Sequence, residues 1–191
     1  MSLPHILLGL LAGPTSGYDL HKEFATSLAN FWSAKLSQIY PTLKRLEADG
    51  LVTSEAAASS IGPERRLYGR TPKGERALIA WLEEGPQILN VRRHYLAQVY
   101  FLGALGSASD ARAFFEKFLE ILLARQSLLE AIHRSWRGTR DADFGERLPD
   151  SEFYPYMALE LGLQANRTRI SWCRSCLTRI DKVKGRKRKK A

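Results

Sequence analysis

Hydrophobic positions in the first fifty residues recur at three- and four-residue spacings, which predicts three short helices. The first, Leu3–Leu11, is apolar on nearly every side, as a buried helix is, and Gly13-Pro14 ends it. The second is amphipathic, opens after Gly17 and ends around Asn30. Both helices are therefore expected to contribute to one small core.

The third predicted helix has clear end signals and two distinct faces. Ser37 is a good N-cap residue, and Gly50 suits the left-handed position that follows a helix. The buried stripe consists of Ile39, Leu43 and Leu46. The opposite face carries Ser37, Gln38, Pro41, Lys44 and Arg45. A helix with this distribution can bury one face and present the other to a partner.

Two strand-like segments, 51–55 and 66–71, follow the third helix and flank a loop of mostly small and polar residues. Thr71-Pro72 predicts an N-cap with proline at the first helical position, and the fourth helix ends before Gly85-Pro86. Three helices followed by a hairpin are typical of a winged helix-turn-helix, in which the third helix enters the DNA major groove. A small protein-interaction domain with solvated charges is the alternative.

The second half of the chain contains only longer helical patterns. They predict a helix over 91–105, a helix from Ser109 to about Trp136, a polar linker over 138–150 and a last helix. Apolar positions of the last helix alternate at three and four residues: Tyr156, Leu159, Leu163, Asn166, Ile170, Cys173, Leu177 and Ile180. Such a seam packs inside its own chain or against a second copy. Because little else is predicted to cover it, we expect dimerisation, with Asn166 fixing the register.

The formal net charge of +9 is concentrated at the C-terminus, where 182–191 contain seven basic residues and no acidic one. The rest of the chain is nearly neutral, with a local excess of three basic residues between Lys35 and Arg76. The simplest interpretation of this basic run is a disordered, solvated tail. The alternative is a segment that binds phosphates without sequence preference. A dimeric scaffold that binds nucleic acid through this tail is the alternative function.

Composition excludes several other classes of protein. The 191 residues contain no apolar run long enough to cross a membrane, and no basic residue precedes the apolar N-terminal segment, so a soluble cytoplasmic protein is expected. No Gly-rich phosphate loop, nucleophile elbow or suitable carboxylate pair indicates an enzyme. Cys173 and Cys176 show no zinc-ligand spacing with histidines, so neither a metal nor a cofactor is expected.

The pattern Trp172-Cys173-x-x-Cys176 is similar to the start of a thioredoxin-like active site, but it lies late in a helix without the required strand. Cys173 is therefore predicted to be a small buried hydrophobe. Cys176 is expected to be partly exposed. The hypothesis is that its oxidation cross-links or distorts the dimer.

The exposed face of the third helix has the chemistry that base recognition needs. Gln38 can pair bidentately with adenine, Lys44 or Arg45 can reach guanine or a phosphate, and Ser37 can contact either. Arg65 and Arg66 lie at the base of the predicted wing.

Four segments in succession resemble the PadR family of transcriptional regulators: Ile6–Leu11, Gly17–Leu20, Ser37–Val52 and Tyr68–Gly74. The resemblance is close over the first 84 residues and diffuse beyond them. It implies a homodimeric winged-helix repressor that a small molecule releases from a pseudo-palindromic operator. It also implies DNA-facing roles for Tyr18, Ser37, Gln38, Tyr40 and Lys44, with Arg65 and Arg66 in the wing. Without the family, Tyr18 and Tyr40 could equally serve packing.

These patterns predict a mainly α protein in two domains. A winged helix, with a three-helix core and a two-stranded wing, occupies 1–84. A linker, 85–90, joins it to an all-helical dimerisation and sensing domain, 91–181, which a basic tail, 182–191, follows. Aromatic residues near the second linker would suit a planar aromatic effector, and the candidates are Phe118, Trp136 and Tyr154, although aromatics at helical spacing are more often core.

Overall fold

The computed structural model describes residues 2–29, 31–57, 65–87, 93–137 and 148–188. The chain forms two units, Met1–Leu89 and Asn90–Ala191. The first unit contains, in chain order, α1 (Leu3–Leu10), β1 (Thr15–Ser16), α2 (Gly17–Ala25), α3 (Leu36–Ala48), β2 (Val52–Ala57), β3 (Arg65–Arg70) and α4 (Pro72–Glu83). The predicted winged helix is confirmed.

The sheet of the first unit is antiparallel, with the strand order β1-β3-β2. The hairpin of β2 and β3 was predicted, whereas β1 was not. Thr15 and Ser16 pair with Tyr68 and Leu67 of β3. Two residues are too few to show a periodicity, so β1 exists only because the turn before α2 lies against β3.

The first core lies where the helices meet the sheet. Ile39 and Leu43 of α3 are completely buried against side chains from α1 and α2. The other buried apolar residues of this core are Leu7, Leu8, Leu11, Leu20, Phe24, Leu28, Ala34, Leu46, Val52 and Tyr68. The predicted buried stripe of α3 is confirmed, so its opposite face is turned to solvent.

Backbone contacts fix α4 at the base of the wing. The Thr71 N–H donates to the Leu51 carbonyl at 3.1 Å, and the Thr71 hydroxyl caps α4 by accepting the Gly74 N–H at 3.1 Å. Gly74 is buried, and a Cβ at this position would lie 2.1 Å from the Leu51 carbonyl oxygen. Only glycine fits there, so the start of α4 packs directly against the backbone that leads into β2.

Two helix boundaries of this unit differ from the prediction. α2 ends at Ala25, because the backbone of Thr26 leaves the helical conformation, with φ −116° and ψ −85°. α3 starts at Leu36, with Lys35 and not Ser37 at the N-cap. The reason is that the Lys35 N–H, at the start of the first turn, is bonded to the side chain of Gln38, three residues later.

The second unit is built from α5 (His94–Tyr100), a short 3-10 turn (Leu102–Leu105), α6 (Ala108–Arg137) and α7 (Asp150–Arg188). α6 and α7 pack against each other along most of their length. The helix predicted over 91–105 is shorter and interrupted at Phe101, and its first residues lie outside the described ones. Ser107 rather than Ser109 caps α6, since its hydroxyl accepts the N–H groups of Ser109 and Asp110.

The C-terminal segment differs from the expected disordered tail, since α7 continues to Arg188. Lysine and arginine are good helix formers, and cations are favourable near a helix C-terminus, which explains the continuation. Residues 189–191 lie outside the described ones. Among the helices that the structure describes, none is long and apolar enough to cross a membrane.

Candidate nucleic-acid interface

The polar face of α3 is exposed along its whole length. Ser37, Gln38, Tyr40, Lys44 and Arg45 are all exposed, whereas Ile39 and Leu43 on the other side are buried. The α3 residues singled out from the sequence therefore lie on one accessible surface. They are placed there by the burial of the apolar stripe rather than by contacts with one another.

A side-chain cap that the sequence analysis missed holds the start of α3. The backbone N–H of Lys35 donates to Oε1 of Gln38 at 3.0 Å. This is half of a capping box, which usually has Glu or Gln at this third helical position. The bidentate pairing with adenine that was expected of Gln38 requires both amide atoms. An amide oxygen has two lone pairs, so Oε1 can accept the Lys35 N–H and still accept from a base, and the pairing stays a prediction.

Tyr40 lies on the start of α2. Its side chain is 41% exposed, and a Cβ at Gly17 would lie 2.6 Å from its Cε1 and 3.1 Å from its hydroxyl oxygen. The missing side chain of Gly17 thus makes room for the ring. Ser16 caps α2 by accepting the Asp19 N–H at 3.1 Å, which gives one free N–H of this helix end a partner.

Tyr18 follows Gly17 in α2, and its side chain is 55% exposed. Its ring lies below the ammonium group of Lys22, which is 5.1 Å from the ring centroid, within cation–π range. The start of α2 therefore brings together Tyr18, Lys22 from the next turn and the ring of Tyr40. Two phenol hydroxyls and an ammonium group are suitable donors for a phosphate of the DNA backbone. Lys22 was not among the residues predicted from the sequence.

The wing is tied to α3 by side chains. The Ser54 hydroxyl of β2 donates to the Glu47 carboxylate of α3. Burial raises the pKa of the Tyr68 hydroxyl, and the positive charge of the nearby Arg66 guanidinium opposes that rise. Arg66 is exposed and lies two residues from Tyr68 on the same face of β3. The wing tip, 58–64, and the side chain of Arg65 lie outside the described residues.

The heptad seam of the last helix is covered by α6 of the same chain, which corrects the expectation that a second copy covers it. Six seam residues are buried in the single chain: Tyr156, Leu159, Leu163, Asn166, Ile170 and Cys173. Leu177 and Ile180 pack at the edge of the same core. The premise of that expectation was wrong, since α6 is long enough to cover the whole stripe. These side chains are not available as a dimer surface.

Asn166 fixes the register between these two helices. It is completely buried, and its Nδ2 donates at 3.0 Å to both the Leu122 carbonyl and Oε1 of Gln126 on α6. Its own Oδ1 has no hydrogen-bond partner in the described part of the chain. The role expected from the sequence, a buried polar group that sets register, is thus performed within one chain.

The three candidate effector residues do not meet. Phe118 and Trp136 lie on the same helix, five turns or about 27 Å apart. Phe118 packs with Tyr95, Phe114 and Trp172 in an aromatic cluster. Tyr154 is exposed near the start of α7, edge-on to Phe153 at 5.3 Å. One planar ligand cannot contact both Phe118 and Trp136, so the predicted set is wrong as a single site.

Both cysteines of the chain are free thiols, Cys173 buried and Cys176 half-buried. Burial raises the pKa of Cys173 and of Cys176, which lowers the fraction of reactive thiolate. The Cys173 thiol donates to the Phe115 carbonyl at 3.3 Å and is completely buried, as expected of a small core residue. Among the described residues no cluster of three or more His, Cys, Asp or Glu could hold a metal ion.

Comparison with known proteins agrees with this architecture. The model of the transcriptional regulator PadR-like family matches residues 6–80, and the model named virulence activator alpha C-term matches residues 91–181. The negative transcriptional regulator PadR of Bacillus subtilis is 32% identical over 182 residues, which cover 94% of this chain and 98% of the relative. A probable transcriptional regulator of Mycobacterium tuberculosis is 26% identical over 184 residues, 90% of this chain and 94% of the relative.

Solved structures show the same likeness. The crystal structure of Bacillus subtilis PadR in complex with operator DNA has a TM-score of 0.77 at 31% identity, over 94% of this chain and 99% of that one. The same regulator in complex with p-coumaric acid has a TM-score of 0.70 at 31% identity, over 95% and 99%. The virulence activator AphA of Vibrio cholerae, at 23% identity and a TM-score of 0.72 over 95% and 99%, shares the fold. These relatives are regulators and not enzymes, and this chain belongs to the PadR-like family of transcriptional regulators.

Proposed function

We propose that this protein is a homodimeric repressor that binds an inverted-repeat operator through α3 and the wing and is released by a small aromatic effector. The observation that carries the DNA-binding part is the exposed polar face of α3, which is held rigidly by a buried apolar face. Such a helix can lie in the major groove with its N-terminal residues at the base edges. The relative of Bacillus subtilis was crystallised with operator DNA, which supports the same role here.

The candidate contacts separate into two kinds. Ser37, Gln38, Lys44 and Arg45 lie along α3, where base edges are reached. Tyr18 lies on the first turn of α2, Arg66 lies on β3, and the ring of Tyr40 of α3 lies on the start of α2. Contacts to phosphates are expected at these positions. The first group would carry sequence preference and the second would set position and orientation.

Dimerisation needs a surface other than the heptad seam. The outer faces of α6 and α7 expose several large apolar side chains, and Leu161 is 68% exposed. The others on these two helices are Ile121, Leu123, Leu128, Tyr154 and Met157. A soluble protein rarely leaves so many large apolar side chains to water unless they mark an interaction site. An inverted-repeat operator requires that the dimer present two recognition helices roughly 34 Å apart, one turn of DNA.

Repression and effector release are supported by the relatives. The regulator of Bacillus subtilis is described as negative and was also crystallised with p-coumaric acid. A small phenolic acid is therefore the first class of effector to try. Ligand occupancy would act by favouring a conformation in which both half-sites cannot be engaged together.

The experiment that tests this function is selection of bound fragments from a random DNA library at about physiological salt, where non-specific attraction is screened. The full chain and a 1–181 truncation are compared. We expect both to select the same inverted repeat, which p-coumaric acid or a related phenolic acid then displaces. Binding that is lost with residues 182–191 and shows no motif would instead favour the alternative function, a scaffold that uses its basic C-terminus.

Matched variants separate base reading from phosphate contact. Lys44→Ala should reduce discrimination between operator and random DNA, whereas Tyr18→Phe should weaken binding to all sequences about equally. For the dimer, Leu161→Asp should shift the mass measured by light scattering toward the monomer. Leu82→Asp, the same change at an exposed leucine of α4, is its control.

A further inference from the structure

The outer face of α7 changes its chemistry partway along the helix. Up to Leu161 this face carries the large apolar side chains of the proposed dimer surface. In the basic half of α7, residues 167–188, the same face is polar. Its exposed residues between Arg167 and Lys182, apart from Asp181, are Arg167, Thr168, Ser171, Arg174, Ser175, Thr178, Arg179 and Lys182. The two parts of one helix face therefore fit two different partners.

The basic half of α7 concentrates the positive charge of the chain. It contains nine basic residues and one acidic residue, so its net charge is almost as large as the +9 of the whole chain. The acidic residue, Asp181, is paired with Arg112 of α6. Arg174, Arg179 and Lys182 have no ion-pair partner in the described part of the chain. Most of this positive charge therefore faces water without a protein counter-charge.

The end of this half extends past the helix that supports it. Arg112, one turn after the start of α6, lies beside Asp181, so the antiparallel pairing of the two helices ends close to Lys182. The backbone of α7 continues to Arg188, which adds about 9 Å of helix. Like charges on neighbouring turns of a helix repel one another. A polyanion that lies along this face would remove the repulsion.

The composition of the face indicates the class of partner. Guanidinium, ammonium and hydroxyl groups are the side-chain groups that contact the phosphates of DNA. Helices that bind membrane surfaces place Trp, Phe or Leu opposite such a basic face, and proteins that hold single strands stack the bases on aromatic rings. Among the described residues after Leu161, the exposed ones include no aromatic side chain and no leucine. Double-stranded DNA, which carries its phosphates on the outside, is the polyanion that this face fits.

We infer that the basic half of α7 is a second DNA-binding surface, which contacts the phosphates of double-stranded DNA without sequence preference. Its contacts add affinity to those of α3 but no specificity. The inference goes beyond the proposed function and does not depend on how α3 reads an operator. It also differs from the scaffold alternative, because here both surfaces belong to one regulator.

Removal of charge from the described part of this face tests the inference. The variant Arg174→Gln with Arg179→Gln loses two exposed positive charges, and glutamine is about as good a helix former as arginine. The matched control, Lys117→Gln with Arg134→Gln, loses the same charge from exposed positions of α6. Circular dichroism and light scattering check that the fold and the mass are unchanged. Arg179→Gln with Lys182→Gln replaces the first variant if that one does not fold.

The readout is the affinity for a duplex of random sequence, measured by fluorescence anisotropy between about 50 and 200 mM salt. Each lost phosphate contact reduces the slope of log affinity against log salt by about 0.9. The Arg174 and Arg179 variant should therefore have a slope smaller by about two than that of the unmodified chain, and the control should keep the original slope. The motif that the variant selects from a random library should be unchanged.

Two results would overturn the inference. The first is a slope for the Arg174 and Arg179 variant that equals the slope of the control. The second is a variant that keeps its affinity for the duplex but loses binding to vesicles of anionic lipid, since the partner would then be a membrane surface. Failure of the unmodified chain to select any motif refutes the proposed function, and the salt dependence still decides this inference.

Discussion

Substitution of Gly74 by alanine tests how α4 is joined to the wing. Gly74 is buried at the third position of α4, directly above the Leu51 carbonyl. An added Cβ would lie 2.1 Å from that oxygen, 3.1 Å from the carbonyl carbon and 3.0 Å from Cγ of Arg70. Two of these atoms belong to the backbone, so rotation of a side chain cannot relieve the contact. The chain segments would have to separate by about 1 Å.

The cost follows from the bonds in that junction. Thr71 donates to the Leu51 carbonyl at 3.1 Å, and a separation of this size would break that hydrogen bond, which contributes about 1 kcal/mol. Forcing an extra carbon into a packed site costs about 1–3 kcal/mol more. Alanine is favoured over glycine in a helix by up to about 1 kcal/mol, which offsets part of the loss. The free energy of unfolding of the first unit should therefore fall by about 2 kcal/mol.

Calorimetry of the full chain measures this effect. For a unit of this size about 1 kcal/mol corresponds to 4–8 °C, so the transition of the winged-helix unit should move down by about 8–16 °C. Gly9→Ala is the matched control, because Gly9 is exposed in α1 with nothing within 4 Å of an added Cβ. That variant should melt at the same temperature or slightly higher. Equal melting temperatures for both variants and the unmodified chain would refute the reasoning.

Three further predictions concern other contacts. Gly17→Ala would displace the ring of Tyr40, so operator affinity should fall severalfold while the melting temperature changes little. Unchanged affinity in a binding titration would mean that the ring does not contact DNA. Asn166→Leu leaves Oε1 of Gln126 without its buried donor and should cost about 1–3 kcal/mol in urea unfolding, and the double change with Gln126→Leu should recover most of it. Because burial raises the pKa of Cys176, its alkylation at pH 8.5 should be slower in the folded chain than in urea. The rate of alkylation of the folded chain should rise as the pH is raised above 8.5. Equal rates in the folded chain and in urea, measured by site-resolved mass spectrometry, would contradict this.

The sequence by itself determined the elements that depend on local rules. Thr71-Pro72 starts α4 where the chain predicts it, because an N-cap hydroxyl followed by proline is a signal contained in adjacent residues. The buried stripe of α3 was also predictable, because a period of 3.6 residues places Ile39 and Leu43 on one face in any context. The exposed face that carries the candidate DNA contacts follows directly from that stripe.

Tertiary structure alone decided which surface covers which stripe. The seam of α7 has the same sequence pattern whether its partner is α6 or a second copy, and only the packing of the two long helices within one chain shows that α6 takes it. The place of Tyr40 was likewise invisible in the sequence, since it depends on a glycine of another helix. The hydrogen-bonding state of Gln38 depends on how one backbone N–H meets one amide, a geometry that a residue type does not specify. Periodicity states which faces are apolar, whereas the partner of each face is set by the three-dimensional packing of the whole chain.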